Sequence, residues 1–238
     1  MTARRVGLGL SGGGDSTALL LALREAAPHI VLYAYIVDHG LRPESAQEAR
    51  AAAEAAARAG AHPRILTWRS PRPGQGAARQ ARHRLLAQAC RRDDVTLLCL
   101  AHTHDDRVET LRMRAARNGP ETALAGPGPL DPSPVWPDGR RLMIARPFLD
   151  LTRPMLRRYL AVRGAAWIED PSNDNPAFER VRVRASPMSQ TQAQALIARS
   201  EAARRTREAC KADARDRLAA GARLTVWGGA VLDPAAFA

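Results

Sequence analysis

The 238-residue chain carries a formal net charge of +12, from 36 Lys and Arg against 24 Asp and Glu, with 45% hydrophobic residues. That length can bury one full core with room for an appendage. No apolar run approaches the roughly 18–20 residues of a membrane span, and three widely spaced cysteines without a Cys-x-x-Cys pair argue against a disulfide frame, a zinc knuckle or a redox dithiol. An apolar strand begins within a few residues of Met1, with no signal-peptide pattern, so a cytoplasmic location and no membrane partner are expected. Lys211 is the one lysine, so arginine supplies nearly all the positive charge. An excess of this size points to a polyanionic partner, nucleic acid above all, whereas 4% aromatic residues speak against a stacking platform for single strands.

The apolar alternation Val6, Leu8, Leu10 predicts a buried parallel strand. It stops at Ser11-Gly12-Gly13-Gly14-Asp15-Ser16, and a helical run follows over 17–27. Strand, glycine turn and helix start together make an anion cradle: glycines let backbone N–H groups approach a phosphate, and the helix dipole favours negative charge. Ser11 and Ser16 add hydroxyl donors, and Asp15 is reconciled with a phosphate by a Mg²⁺ between them. The loop lacks the Gly-Lys-Ser/Thr ending of a Walker A loop and is not the dinucleotide Gly-x-Gly-x-x-Gly.

Residues 30–37 read as a second buried strand, ending at Asp38-His39-Gly40, where ligands sit in open α/β sheets. Residues 43–59 predict an Ala/Glu-rich helix closed by Gly60, and 65–68 a short strand. A loop over 70–76 leads into a strongly basic helix over 77–92, in which Arg79 and Arg82 stand three apart and could face one phosphate group. Residues 95–101 form a fourth strand, followed by an acidic helix start with Asp105, Asp106 and Glu109. Asp106 and Glu109 share a face, and the strand before them ends at the same edge as the glycine loop. Their bland reading is acid at a helix N-terminus; beside a nucleotide such carboxylates hold Mg²⁺ or bind an ammonium. His102 and His104 lack a third ligand at metal spacing and read as histidines facing phosphate.

The Gly/Pro-rich stretch 118–139 predicts a mobile functional loop. A strand over 142–145, a helix over 153–162, an extended piece at Trp167-Ile168, turn chemistry over 170–175 and a basic segment over 178–184 follow. Residues 190–220 are one polar Ala/Arg-rich helix, and 224–232 a hairpin turning at Gly228-Gly229. The alternation predicts an α/β fold: a doubly wound, mainly parallel sheet with a C-terminal helical extension and hairpin.

The hexapeptide SGGGDS resembles the SGGxDS loop of the PP-loop ATP pyrophosphatase superfamily. With VDHGLR (37–42), AARQARHR (77–84), AHTHDDRVET (101–110) and WIEDPSNDNPAFERVRVR (167–184), the chain over about residues 5–185 resembles the tRNA(Ile)-lysidine synthetases. The resemblance implies a ligase that uses ATP and Mg²⁺ to join L-lysine to C2 of the wobble cytidine of an isoleucine tRNA with a CAU anticodon. The cytosine O2 is adenylated first, and the lysine amine then displaces AMP. By matching position, Ser11, Gly12, Gly13, Gly14, Asp15 and Ser16 would hold ATP phosphates, Asp38 and His39 would lie beside the nucleotide, and Arg82 would touch phosphate. Asp106 and Glu109 would bind lysine's ammonium and Arg180 its carboxylate; Asp15 would be catalytic and the Mg²⁺ ligand. The resemblance implies a PP-loop catalytic domain over 1–185, with 186–238 a helical extension opening a small second domain; a second copy of the chain is a candidate partner.

The chain departs from the family at Arg117–Pro127, aligned on RGSGxxGLAGM, and at His83, Thr103 and Val181. Two other readings are therefore carried: another PP-loop tRNA-modifying ligase, and a catalytically degenerate paralogue that binds nucleotide or RNA.

Overall fold

The structure, a computed structural model, is described for residues 4–40, 44–69, 74–169, 179–186, 188–227 and 229–237. The expected turn at 170–175, Leu41 and Arg42 of the VDHGLR motif, residues 70–73 and Gly228 lie outside the described residues. The chain divides into two compact units, Met1–Arg107 with Pro127–Ala177, and Val108–Gly126 with Phe178–Ala238.

In the first unit, β1 (Arg5–Gly9) pairs in parallel with β2 (Val31–Asp38) on one side and β4 (Leu97–Leu100) on the other. β3 (His62–Thr67) extends the sheet beyond β2 and β6 (Met143–Ala145) beyond β4, both parallel. β5 (Leu130–Pro132) closes the far edge antiparallel to β6. The order β3-β2-β1-β4-β6-β5 is the doubly wound, mainly parallel sheet that the alternation predicts. Successive strands step one way from β1 to β3 and the other way from β4, so β1 and β4 flank the switch point where such sheets bind ligands.

Side-chain period two sorts β2 onto two cores. Leu32, Ala34 and Ile36 join Leu8 of β1 in a layer with α1 (Gly14–Ala26), α2 (Ser45–Arg58) and α5 (Arg153–Val162). Tyr35 and Leu66 face α3 (Gln75–Arg92) through Leu86, Ala87, Ala89 and Cys90. β1 presents glycines on that face, leaving room for Tyr35: a Cβ on Gly7 would come 2.8 Å from its ring. Its buried hydroxyl donates to Asp93 Oδ2 at 3.0 Å, satisfying a group that burial would otherwise penalise.

α4 (His104–Ala115) begins in the first unit and runs into the second. The second unit continues with α6 (Glu179–Ala185) and α7 (Gln190–Gly221), which opens on a capping box between Ser189 and Gln192. Its small core gathers Leu124, Ala125 and Ala203. Two expectations need correction. Residues 118–139 are not a plain loop: they hold a 3₁₀ turn, Glu121–Leu124, and β5. The hairpin strands are β7 (Ala222–Leu224) and β8 (Ala230–Leu232), joined through residues 225–229 rather than by a two-residue turn. Thr225 explains the wider turn, since its N–H donates to the Gly229 carbonyl at 2.8 Å and its hydroxyl accepts from the Gly229 N–H at 3.0 Å. Among the described residues no helix is long and apolar enough to cross a membrane.

Candidate active site at the ends of the central strands

The glycine loop is shaped by its own side chains. Gly12 has φ +83°, a conformation that disfavours any Cβ, and a Cβ there would meet Ile168 Cδ1 at 2.8 Å. The Ile168 N–H donates to the Gly12 carbonyl at 2.9 Å, strapping that extended segment to the loop. Ser16, buried, donates from its hydroxyl to the Gly13 carbonyl at 2.9 Å and accepts from the Ser11 N–H at 3.2 Å. α1 starts at Gly14, three residues before the predicted start, and no side chain caps it. Its first N–H groups are thus the free donors an anion needs at a helix N-terminus.

Asp15 follows. Burial raises its carboxyl above the ordinary range, against the pull of Arg153 and Arg157, while Asp106 pushes it further up. Arg153 ties the loop to the end of β4: its Nε lies 3.5 Å from Asp15 Oδ2, and its terminal nitrogen donates to Asp106 Oδ1 at 2.7 Å. Asp106 also accepts from the N–H and hydroxyl of Thr103, at 2.9 and 3.0 Å, and so closes the N-terminus of α4. Asp15 Oδ1 is buried with no hydrogen-bond partner. Such an oxygen suits a Mg²⁺ that arrives with a polyphosphate, because that ion takes one or two carboxylates and fills its shell with phosphate and water. Among the described residues no group of three or more His, Cys, Asp or Glu is placed to hold a metal without such a ligand.

A second cluster surrounds His102. Arg146 donates from Nε to His102 Nδ1 at 3.2 Å, which makes Nδ1 the acceptor and puts the ring proton on Nε2. Burial pushes His102 down to about 3, with Asp106 opposing and Arg146, Arg82 and Arg79 reinforcing the shift. His83, also buried, falls to about 4, chiefly by burial and then through Arg79, Arg82 and Arg146. At the end of β2, Asp38 Oδ1 accepts from the Gly40 N–H at 2.9 Å and the Ser45 hydroxyl at 2.8 Å, fixing the turn. His39 beside it is lowered by burial and by Arg82, and its Nδ1 is buried without a partner. Arg82 thus acts on His39, His83 and His102 alike.

In the second unit Glu109 is buried between two arginines of α6. Arg184 donates from Nε to Oε1 at 2.9 Å, and Arg180 Nε lies 3.3 Å from Oε2. Arg180 also donates to the Thr110 hydroxyl at 3.3 Å. The two residues read as binding opposite ends of lysine are therefore ion-paired to each other.

The sequence motifs include the loop, Asp38, His39, Arg82, Asp106, Glu109 and Arg180, but not Arg146, Arg153 or Arg157. The signal available for the last two was their i,i+4 spacing on an amphipathic helix, which an arginine-rich chain conceals.

A glycine loop on β1 at a sheet's switch point, opening a helix whose second residue is an acid, defines a nucleotide-binding α/β domain that handles phosphate without a Walker lysine. The family model described as PP-loop domain matches residues 1–191, and the chain belongs to that ATP-using family. The motif resemblance to lysidine synthetases also holds along aligned lengths. A tRNA(Ile)-lysidine synthase of Hyphomonas neptunium is 49% identical over 181 residues, covering 75% of this chain and 49% of that protein. One of Rhizobium meliloti is 42% identical over 200 residues, covering 78% and 44%, and one of Brucella suis is 37% identical over 231 residues, covering 94% and 51%. The chain spans about half the length of these curated relatives. In fold it is similar to the U34-tRNA thiolase NcsA from Methanococcus maripaludis, with a TM-score of 0.67, 17% identity, and coverage of 88% of this chain and 73% of that one.

Proposed function

We propose that this chain is the catalytic part of a ligase that joins lysine to the wobble cytidine of a CAU-anticodon isoleucine tRNA, acting in the cytoplasm. Residues 1–185 form its PP-loop catalytic domain and 186–238 an extension. The observation that carries the reading is the coupling of the SGGGDS loop to the end of β4 through Arg153, which joins Asp15 and Asp106 at the switch point.

The loop N–H groups hold the phosphates of ATP, with Arg82 as a further cation and Asp38 and His39 beside the nucleotide. Asp15 Oδ1 would hold the Mg²⁺ that accompanies the nucleotide, and that ion would neutralise charge on the polyphosphate. The wobble cytosine's O2 attacks the α-phosphorus; the bond to the bridging oxygen breaks, and its electron pair leaves with pyrophosphate. Asp106 and Glu109 then receive lysine's ammonium and Arg180 its carboxylate. A zwitterion can enter the Glu109–Arg180 pair by exchange, its ammonium replacing Arg180 on Glu109 and its carboxylate replacing Glu109 on Arg180, so that no charge is stranded. The carboxylate that holds the ε-ammonium accepts a proton from it, the freed amine attacks C2, and the C2–O2 bond breaks with its electron pair leaving on AMP. The basic surface binds tRNA phosphates.

The test is incorporation of labelled lysine into a CAU-anticodon isoleucine tRNA transcript with ATP and Mg²⁺. Lysine in the tRNA is the expected result. Adenylation accepted by another nucleophile would favour a different PP-loop ligase, and binding of ATP and tRNA without adenylation a degenerate paralogue.

A further inference from the structure

Arg157 lies one helical turn beyond Arg153 on α5, and its guanidinium rests on the first residue of α1. A Cβ built on Gly14 would coincide with Arg157's terminal nitrogen NH1, so the guanidinium fills space that any side chain at position 14 would take. Its plane is fixed by stacking on Trp167, with Cζ 4.7 Å from the ring centroid. NH1 is nevertheless buried with no hydrogen-bond partner, as is Asp15 Oδ1.

Stacking on Trp167 accounts for the plane of this cation but not for its position. A helix N-terminus repels positive charge, and a buried guanidinium N–H left unpaired is unfavourable. Asp15 supplies one balancing charge, yet its free oxygen makes no hydrogen bond to Arg157. An anion at the loop removes both penalties, accepting from NH1 and from the backbone N–H groups together. We infer that Arg157 is a phosphate ligand for the pyrophosphate half of ATP, and that glycine at position 14 of this SGGGDS loop is what admits it. The inference rests on the ATP reading above. The pyrophosphate half is assigned because the leaving group gains charge as the α–β bond breaks, and a fixed cation is most effective where charge develops.

The experiment is calorimetric titration of the full chain, with Mg²⁺, using inorganic pyrophosphate, AMP and ATP as separate probes. Arg157→Gln should weaken pyrophosphate about tenfold or more, the scale of one lost charge-assisted hydrogen bond, and leave AMP unchanged. Gly14→Ala, which evicts the guanidinium while keeping the arginine, should give the same loss, and the double variant no more than either single one. Thermal melting checks that each variant folds. Arg157→Lys, which keeps the charge without the planar fork, supplies a second test and should recover only part of the affinity. Pyrophosphate binding unchanged in Arg157→Gln, or equal losses for AMP and pyrophosphate, overturns the inference while leaving ATP use intact. A wild-type chain that binds none of the three probes overturns the nucleotide reading itself.

Discussion

Replacing Glu109 by Gln separates a structural role from a substrate role. The Glu109 side chain is 6% exposed, and the Arg180 and Arg184 side chains are each 39% exposed. Breaking a buried pair by removing one partner costs about 3–5 kcal/mol. Here the stranded cations are more than a third exposed and can turn to water, which lowers the expectation to about 1–3 kcal/mol. Urea unfolding should show that loss as a lower midpoint with an unchanged slope. Single-turnover transfer of labelled AMP to tRNA followed by a lysine chase reads the other role. AMP-tRNA should form at the wild-type level and accumulate, and raised lysine should partly restore turnover, because one carboxylate for the ammonium has gone. An unchanged urea midpoint would refute the ion-pair energetics. Loss of adenylation would instead assign Glu109 to the nucleotide or its metal.

Gly12→Ala places a Cβ at φ +83°, 2.8 Å from Ile168 Cδ1, and should cost about 1–2 kcal/mol in a melt and sharply weaken ATP binding; an unchanged ATP affinity would show that the loop tolerates another shape. Buried histidines make stability depend on pH, His83 and His102 most strongly. His83 at about 4 and His102 at about 3 refuse protons that the unfolded chain accepts below about 6.5. Their contribution is therefore complete above 6.5 and falls with pH down to those values, by at most about 1.4 kcal/mol per pH unit for each. Urea midpoints between pH 7 and 5 should fall less steeply in the His83→Gln/His102→Gln double variant than in the wild type, and parallel slopes would count against buried neutral histidines.

The turn of the glycine loop was legible because its chemistry is local. Ser11 to Ser16 build their turn from their own hydroxyls, carbonyls and glycine torsions, so the hexapeptide carries its conformation with it. Strand alternation in β2 likewise announced two cores. Partners set by tertiary packing were not legible. Arg146, Arg153 and Arg157 are three arginines among many, and only the approach of α5 and β6 to the ends of β1 and β4 distinguishes them. β5 escaped for a related reason: three residues including Pro132 show no period, and Arg146 fixes the turn before them from outside, donating to the Gly128 carbonyl at 2.8 Å and to Asp131 at 2.7 Å. Glu109 and Arg180 were each visible, but their pairing depends on where α6 returns.

Asp105, beside the acid that Arg153 holds, accepts from the Arg153 backbone N–H at 2.8 Å and so closes the N-terminus of α5. The segment leaving β4 thereby sets the rotation of the helix that carries both loop-facing arginines. Arg153 is held by two carboxylates and Arg157 by Trp167. Ordering a long side chain on binding ordinarily costs about 0.5–1.5 kcal/mol. These two have surrendered that freedom during folding, so on the reading proposed for Arg157 an incoming triphosphate would meet a cation already at rest, and its affinity would not be diminished by immobilising it.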